Sequence, residues 1–117
     1  MNEHRQDMAC AGDCPVARTA RLIEGKWTTR IIRDLLGGTK RYSELQHSLA
    51  GISPKVLADR LKFLEREGLL SKTVYPVVPP HTDYTLTPLG MQLADLIAAM
   101  AAFGMRLPPA GAAPRNP

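Results

Sequence analysis

A chain of 117 residues, 44% of them hydrophobic and only 5% aromatic, has room for one domain with a core of Leu, Ile, Val and Ala. That length excludes an enzyme with a separate cofactor lobe, and the apolar content excludes a disordered polyampholyte. The net charge of +4 is local: residues 1–14 carry −2, residues 15–75 carry +6 and residues 76–117 are neutral. A basic middle points to a polyanion-binding surface, with nucleic acid the first candidate and a merely solvated basic face the alternative.

Residues 1–13 are polar and irregular and read as a flexible arm, with no apolar region of the kind a secretory signal needs. Two cysteines in such a chain suggest the cytoplasm and reduced thiols. Asp13-Cys14-Pro15 reads as a helix start, because proline at the first helical position forfeits no hydrogen bond. A short helix to about Glu24 follows, with Val16, Ala20 and Ile23 on one side. Gly25 ends it. A second helix is expected from about Lys26 to Leu36, where Trp27, Ile31 and Leu35 repeat at i, i+4, i+8; Gly37-Gly38 stops it.

Thr39-Lys40-Arg41-Tyr42 reads as a short extended piece. Ser43 and Gln46 fit a capping box that opens a helix ending near Leu49. Ala50-Gly51-Ile52 is a tight turn. Ser53 as N-cap and Pro54 as first residue then open a helix over 53–67, with Leu57, Leu61 and Leu64 as its buried stripe and Gly68 in the left-handed position after it. Two helices joined by a Gly-containing turn describe a helix-turn-helix. Leu70–Tyr75 and Thr82–Leu86 read as strands around the Pro-rich 76–81 loop, a hairpin that forms a wing. Thr87-Pro88 caps a last helix to Arg106. Residues 108–117 read as a disordered tail, and 14–107 as the domain.

The helix at 53–67 is the strongest functional signal. Lys55, Asp59 and Lys62, with Arg66, lie opposite the buried leucines, and a helix with short and basic side chains near its start fits a major groove. Ser53, Pro54 and the free N–H groups of that first turn suit a phosphate. Val56 and Arg60 flank the buried face; Arg60 either pairs with a glutamate on a neighbouring helix or reaches a phosphate. Lys72 and His81 on the wing, and Lys40 and Arg41 before the first helix of the pair, are the remaining candidate DNA contacts. For the wing, simple closure of the core is an equal alternative. Arg18, Arg21, Arg30 and Arg33 are either further phosphate contacts or solvated.

From Leu89 to Leu107, 14 of 19 residues are Leu, Ile, Met, Phe or Ala, more than one small domain covers. A second copy of the chain would cover them and set two recognition helices on a two-fold symmetric operator; the alternative is one side packed on the domain's own core with the Ala-rich side merely exposed. The longest uninterrupted apolar run, Leu96 to Phe103, is eight residues against the roughly 18 that span a bilayer, so no membrane partner is expected. Cys14, at a helix start where thiolate is favoured, suits redox or electrophile sensing, and a bystander thiol is the competing reading. Cys10 and Cys14 form C-x₃-C, neither a redox C-x-x-C nor a zinc pair. With His4, His47 and His81 scattered, no metal and no cofactor are expected. No phosphate loop, carboxylate pair or nucleophile grouping suggests an enzyme.

The series Cys14-Pro15, Gly25-Lys26-Trp27, Arg41-Tyr42-Ser43-Glu44-Leu45, Ile52-Ser53-Pro54-Lys55-Val56-Leu57, Arg60-Leu61, Leu64-Glu65, Gly68-Leu69, Tyr75, Pro79-Pro80 and Tyr84-Thr85-Leu86-Thr87-Pro88-Leu89-Gly90 resembles the HxlR-type winged helix-turn-helix regulators over about residues 14–107. The resemblance implies an α+β, mainly helical winged helix-turn-helix with N- and C-terminal dimerisation helices. It implies a dimeric bacterial transcription factor, here expected as a repressor, that binds double-stranded DNA. In several members a cysteine at the place of Cys14 senses electrophiles or oxidants; Cys10 has no counterpart, so a Cys10–Cys14 bond is a separate reading. Ala58 stands where a hydroxyl residue is more usual, so a base contact is not carried over to it. A regulator that answers to a non-covalent small ligand and a winged-helix protein–protein module are the competing functions.

Overall fold

The structure is a computed structural model and describes residues 14–110. In chain order it runs α1 (Pro15–Ile23), α2 (Thr28–Leu36), β1 (Lys40–Arg41), α3 (Tyr42–Ser48), α4 (Pro54–Arg66), β2 (Leu70–Tyr75), β3 (His81–Leu86), α5 (Pro88–Met91) and α6 (Ala94–Arg106). The predicted arm and Cys10 lie outside the described residues, as does most of the expected tail. The winged helix-turn-helix expected from the sequence is the fold observed: helices α2, α3 and α4 enclose one core, and an antiparallel three-stranded sheet of order β1-β3-β2 closes it.

The core follows from helical spacing. Ile31, Ile32 and Leu35 of α2, Leu45 of α3, and Leu57, Leu61 and Leu64 of α4 are fully or almost fully buried. Each buried leucine or isoleucine contributes about 2 kcal/mol of transfer free energy. Leu69, Leu70, Tyr84 and Leu86 bring the sheet onto the same cluster. The register sets Leu70 opposite Leu86 and Tyr75 opposite His81. On the other edge, Lys40 and Arg41 pair with Tyr84 and Asp83.

The local signals hold where they are self-contained. The Ser53 hydroxyl accepts from the Val56 N–H at 3.1 Å, with Pro54 as the first helical residue. Gly51 and Gly68 both have positive φ, 93° and 79°, which a side chain disfavours. The capping box of α3 is displaced. Arg41, not Ser43, precedes the helix, and the Glu44 carboxylate accepts its backbone N–H at 2.8 Å. Gln46 instead donates to the Ile52 carbonyl at 3.3 Å and braces the turn. The cause is tertiary: pairing of β1 with β3 ends at Arg41 and the helix starts at once. Likewise α2 opens at Thr28, because the chain bends through Gly25 to Trp27 and Trp27 becomes the N-cap.

The last helix is interrupted. Gln92 and Leu93 donate to the carbonyls three residues back, Leu89 and Gly90, so a tight turn separates α5 from α6. By length and composition Pro88–Arg106 would suffice to cross a membrane, a property that the eight-residue run conceals. Its Leu93 and Ile97, however, pack against the domain core.

Candidate nucleic-acid interface

The exposed face of α4 is a single stripe. Lys55, Asp59, Lys62 and Arg66 follow at i, i+4, i+7 and i+11, so they stack along one side of the helix, and all four are exposed. Burial of Leu57, Leu61 and Leu64 on the opposite side fixes that orientation. The stripe is not uniformly basic: the Lys55 ammonium donates to the Asp59 carboxylate at 3.1 Å. Both side chains are well exposed, so this pair adds little to stability. It does place a donor and an acceptor side by side near the start of the helix.

Between that stripe and the core, Val56 is partly exposed. Arg60 is partly buried and lies over the Phe63 ring at 5.0 Å, with Arg66 on the same ring at 6.0 Å. The neighbour it finds is therefore an aromatic face. Phe63 also lines a groove with Arg18, Arg21, Leu22, Glu24 and Glu67, between α1 and the end of α4.

Wing and helix-turn-helix meet at a second place. Arg41, Tyr42, Ser43, Pro80, His81 and Thr82 surround a cleft of about 300 Å³. The Tyr42 hydroxyl donates to the Pro54 carbonyl at 3.1 Å and ties α3 to the first residue of α4. His81 is not free at the loop tip. Its ring stacks on Tyr75 at 4.7 Å between centroids, and its Nε2 lies 4.0 Å from Asp83. Lys40 lines a separate groove with Arg33, Asp34, Glu44, Leu45 and Ser48, where the Ser48 hydroxyl donates to Asp34. Lys72 is exposed on β2, across from Tyr84. The candidates thus fall into the α4 stripe, the Arg41–His81 cleft, and outliers. Tyr42, Ser43 and Thr82 join the cleft without having been singled out; only the pairing of the wing with β1 brings them there.

Cys14 stands apart from both. It is half-buried as the N-cap of α1, and its carbonyl accepts from the Arg18 N–H at 2.9 Å. Among the described residues no group of metal-ligating side chains occurs.

A trihelical core with a hairpin wing and an exposed helix carrying lysine and arginine defines the winged helix-turn-helix class of transcriptional regulators. The HxlR-like helix-turn-helix family model matches residues 22–110, and the chain belongs to that family. It is 42% identical over 91 residues to the HTH-type transcriptional regulator YtfH of Escherichia coli (strain K12), covering 78% of this chain and 72% of that one. Among solved structures, a MarR-family transcriptional regulator from Porphyromonas gingivalis W83 superposes with a TM-score of 0.79 at 44% identity, over 82% of this chain and 94% of the other. The redox regulator HypR in its reduced form superposes at 0.75 with 32% identity, over 79% and 91% of the two chains. The protein is a helix-turn-helix transcriptional regulator and not an enzyme.

Proposed function

We propose that the chain acts in the cytoplasm as a homodimeric repressor whose paired α4 helices bind a two-fold symmetric operator, and that oxidation or electrophile modification of Cys14 releases it. The observation that carries this reading is the coexistence of two unmatched surfaces. One is the charged stripe of α4. The other is apolar: Val16, Met91, Met100, Phe103, Met105 and Leu107 are exposed, and α1 and α6 bury no residue completely. A groove of about 410 Å³ lined by Pro15, Val16, Thr19, Ala20, Ile23 and Leu96 continues that second surface between α1 and α6. An apolar strip this long is a solubility hazard unless a partner covers it, and a second copy would orient two recognition helices together. Lys62, Lys40, Arg41 and Lys72 would supply phosphate contacts and Lys55 would face the bases, with Ser53 and Pro54 at the helix start and Arg60, Val56 and His81 at the margins. Affinity would then fall steeply with salt.

For the switch, Cys14 sits at the first turn of α1, one of the two helices that line the apolar surface. Modification there would change how α1 packs in the dimer and hence the spacing of the α4 pair. That the relative HypR is described as a redox regulator supports this assignment for Cys14; Cys10 would be its partner only if a disulfide forms.

The test is fluorescence anisotropy of the reduced protein on DNA from upstream of its own gene, with sedimentation in parallel. Expected are a dimer at micromolar concentration, binding above random DNA, release by diamide and recovery with a thiol reductant. Sedimentation as a monomer would end the dimer reading. Unchanged diamide sensitivity in Cys14→Ser would end the switch.

A further inference from the structure

Asp59 is the one acidic side chain on the exposed stripe of α4, between Lys55 and Lys62. On a surface that approaches phosphates, a carboxylate weakens binding to every DNA sequence alike. In the major groove it has few hydrogen-bond partners. Phosphates, guanine N7 and O6 and thymine O4 are all acceptors; only the exocyclic amino groups of cytosine and adenine donate. The Lys55 ammonium has the reverse requirement and needs acceptors.

The structure sets these two demands side by side. Lys55 Nζ and Asp59 Oδ2 are 3.1 Å apart, on the first two turns of α4, with both side chains open to solvent. A donor and an acceptor held that close match the edge of one base pair, because the groups they seek are themselves neighbours across its hydrogen bonds. A G·C pair fits best. Guanine offers the ammonium two adjacent acceptors, N7 and O6, and cytosine N4 beside them donates to the carboxylate. An A·T pair gives the ammonium only one acceptor next to the adenine amino group, and leaves thymine O4 and its methyl group unmatched.

We infer that the Lys55–Asp59 pair reads one G·C pair in each half-site, with Lys55 on the guanine and Asp59 on the cytosine amino group, and that Asp59 sets specificity at the expense of general affinity. The inference rests on the DNA-binding reading of α4. Neither residue is needed for the fold, since the pair is exposed and the helix is anchored by its leucines.

The experiment is selection from a random DNA library with the wild type and Asp59→Ala, followed by anisotropy on the selected site. The wild type should enrich a G·C pair at one position of each half-site. Asp59→Ala should bind random DNA more tightly and lose about tenfold in discrimination at that position alone. Replacing that cytosine by N4-methylcytosine, which blocks the groove-facing amino hydrogen, should weaken the wild type by a similar factor and leave Asp59→Ala unaffected. A uniform rise in affinity with the base ranking unchanged would show the pair to be only a surface ion pair and overturn the inference. So would enrichment of A·T there. If the wild type enriches no sequence at all, the DNA reading itself fails, an outcome distinct from the other two.

Discussion

The central part of the chain and its two ends solve different problems. From α2 to β3 the leucines and isoleucines vanish into one cluster, and Leu45, Leu57 and Leu64 have no exposed surface. In α1 and α6 no residue is fully buried, although α6 is far more apolar than α1, α2 or α4. Phe103 is 57% exposed and Met105 is 85% exposed. Leu22 and Ile23 of α1, and Leu93 and Ile97 around the start of α6, pack against the core. The remaining apolar side chains look outward. A helix that is apolar all round is stable in water only when something covers it. The centre therefore specifies its own fold, and the ends leave an apolar surface that the proposed dimer would cover.

This contrast is open to a direct break. Leu61→Ala removes a buried side chain from the middle of α4 and should cost about 3 kcal/mol of unfolding free energy. Phe103→Ser removes a larger apolar group and should leave the stability of the isolated chain almost unchanged, while raising the dimer dissociation constant by roughly tenfold or more. Urea titration and sedimentation together separate the two effects. If Phe103→Ser lowered monomer stability as Leu61→Ala does, the ends would belong to the core after all.

A second site tests the seam between the regions. The Thr87 hydroxyl donates to the Gly68 carbonyl at 2.6 Å and accepts from the Gly90 N–H at 3.1 Å, so one side chain joins the end of α4 to the start of α5. Gly90 packs directly on the Leu69 backbone. A Cβ there would run into the Leu69 carbonyl and crowd Leu86. Both neighbours are fixed by the core, so Gly90→Ala should cost about 1–3 kcal/mol by overpacking, measurable as a lower denaturation midpoint. Full stability in that variant would mean that α5 can lift off the domain freely.

These sites also show what a sequence conveys. The Ser53-Pro54 start, the stripe Leu57, Leu61 and Leu64, the turn at Gly51, the left-handed Gly68, and the hairpin are written in nearest-neighbour chemistry, so spacing alone reveals them. Gly90 looks like an indifferent helical glycine until Leu69 is placed against it. Ser43 and Gln46 satisfy the spacing of a capping box, yet Arg41 and Glu44 form the observed start, because β1 pairs with a strand some forty residues away. The turn at Gln92–Leu93 has no proline or glycine at the break to announce it. On the candidate DNA-binding surface, periodicity brings Lys55, Asp59 and Lys62 together. It was silent on the stacking of His81 with Tyr75 and of Arg60 with Phe63, which depends on neighbours and rotamers.

Two smaller effects sharpen the contrast from inside the core. Thr28 is completely buried at the start of α2, and its hydroxyl has no hydrogen-bond partner among the described residues. Valine has nearly the same shape and no polar group to desolvate. Thr28→Val should therefore raise stability by about 1 kcal/mol, read as a higher melting temperature. A loss of stability would show that the hydroxyl is satisfied in solution.

The last effect is confined to alkaline pH. Burial pushes the Tyr84 phenol above its ordinary ionisation range, and the nearby Glu65 carboxylate and Tyr42 act in the same direction. The fold thus favours the neutral phenol, while the unfolded chain ionises first, near the ordinary value of about 10. Above that pH the native state holds more protons than the unfolded one, so stability falls as pH rises. Below it the full contribution is present and pH has no effect through this group. Tyr84→Phe should consequently show a shallower loss of stability above pH 10 than the wild type, with the two slopes equal below pH 9. Parallel curves over the whole range would mean that Tyr84 reaches solvent in the native state and that the sheet end of the core is looser than its α4 side.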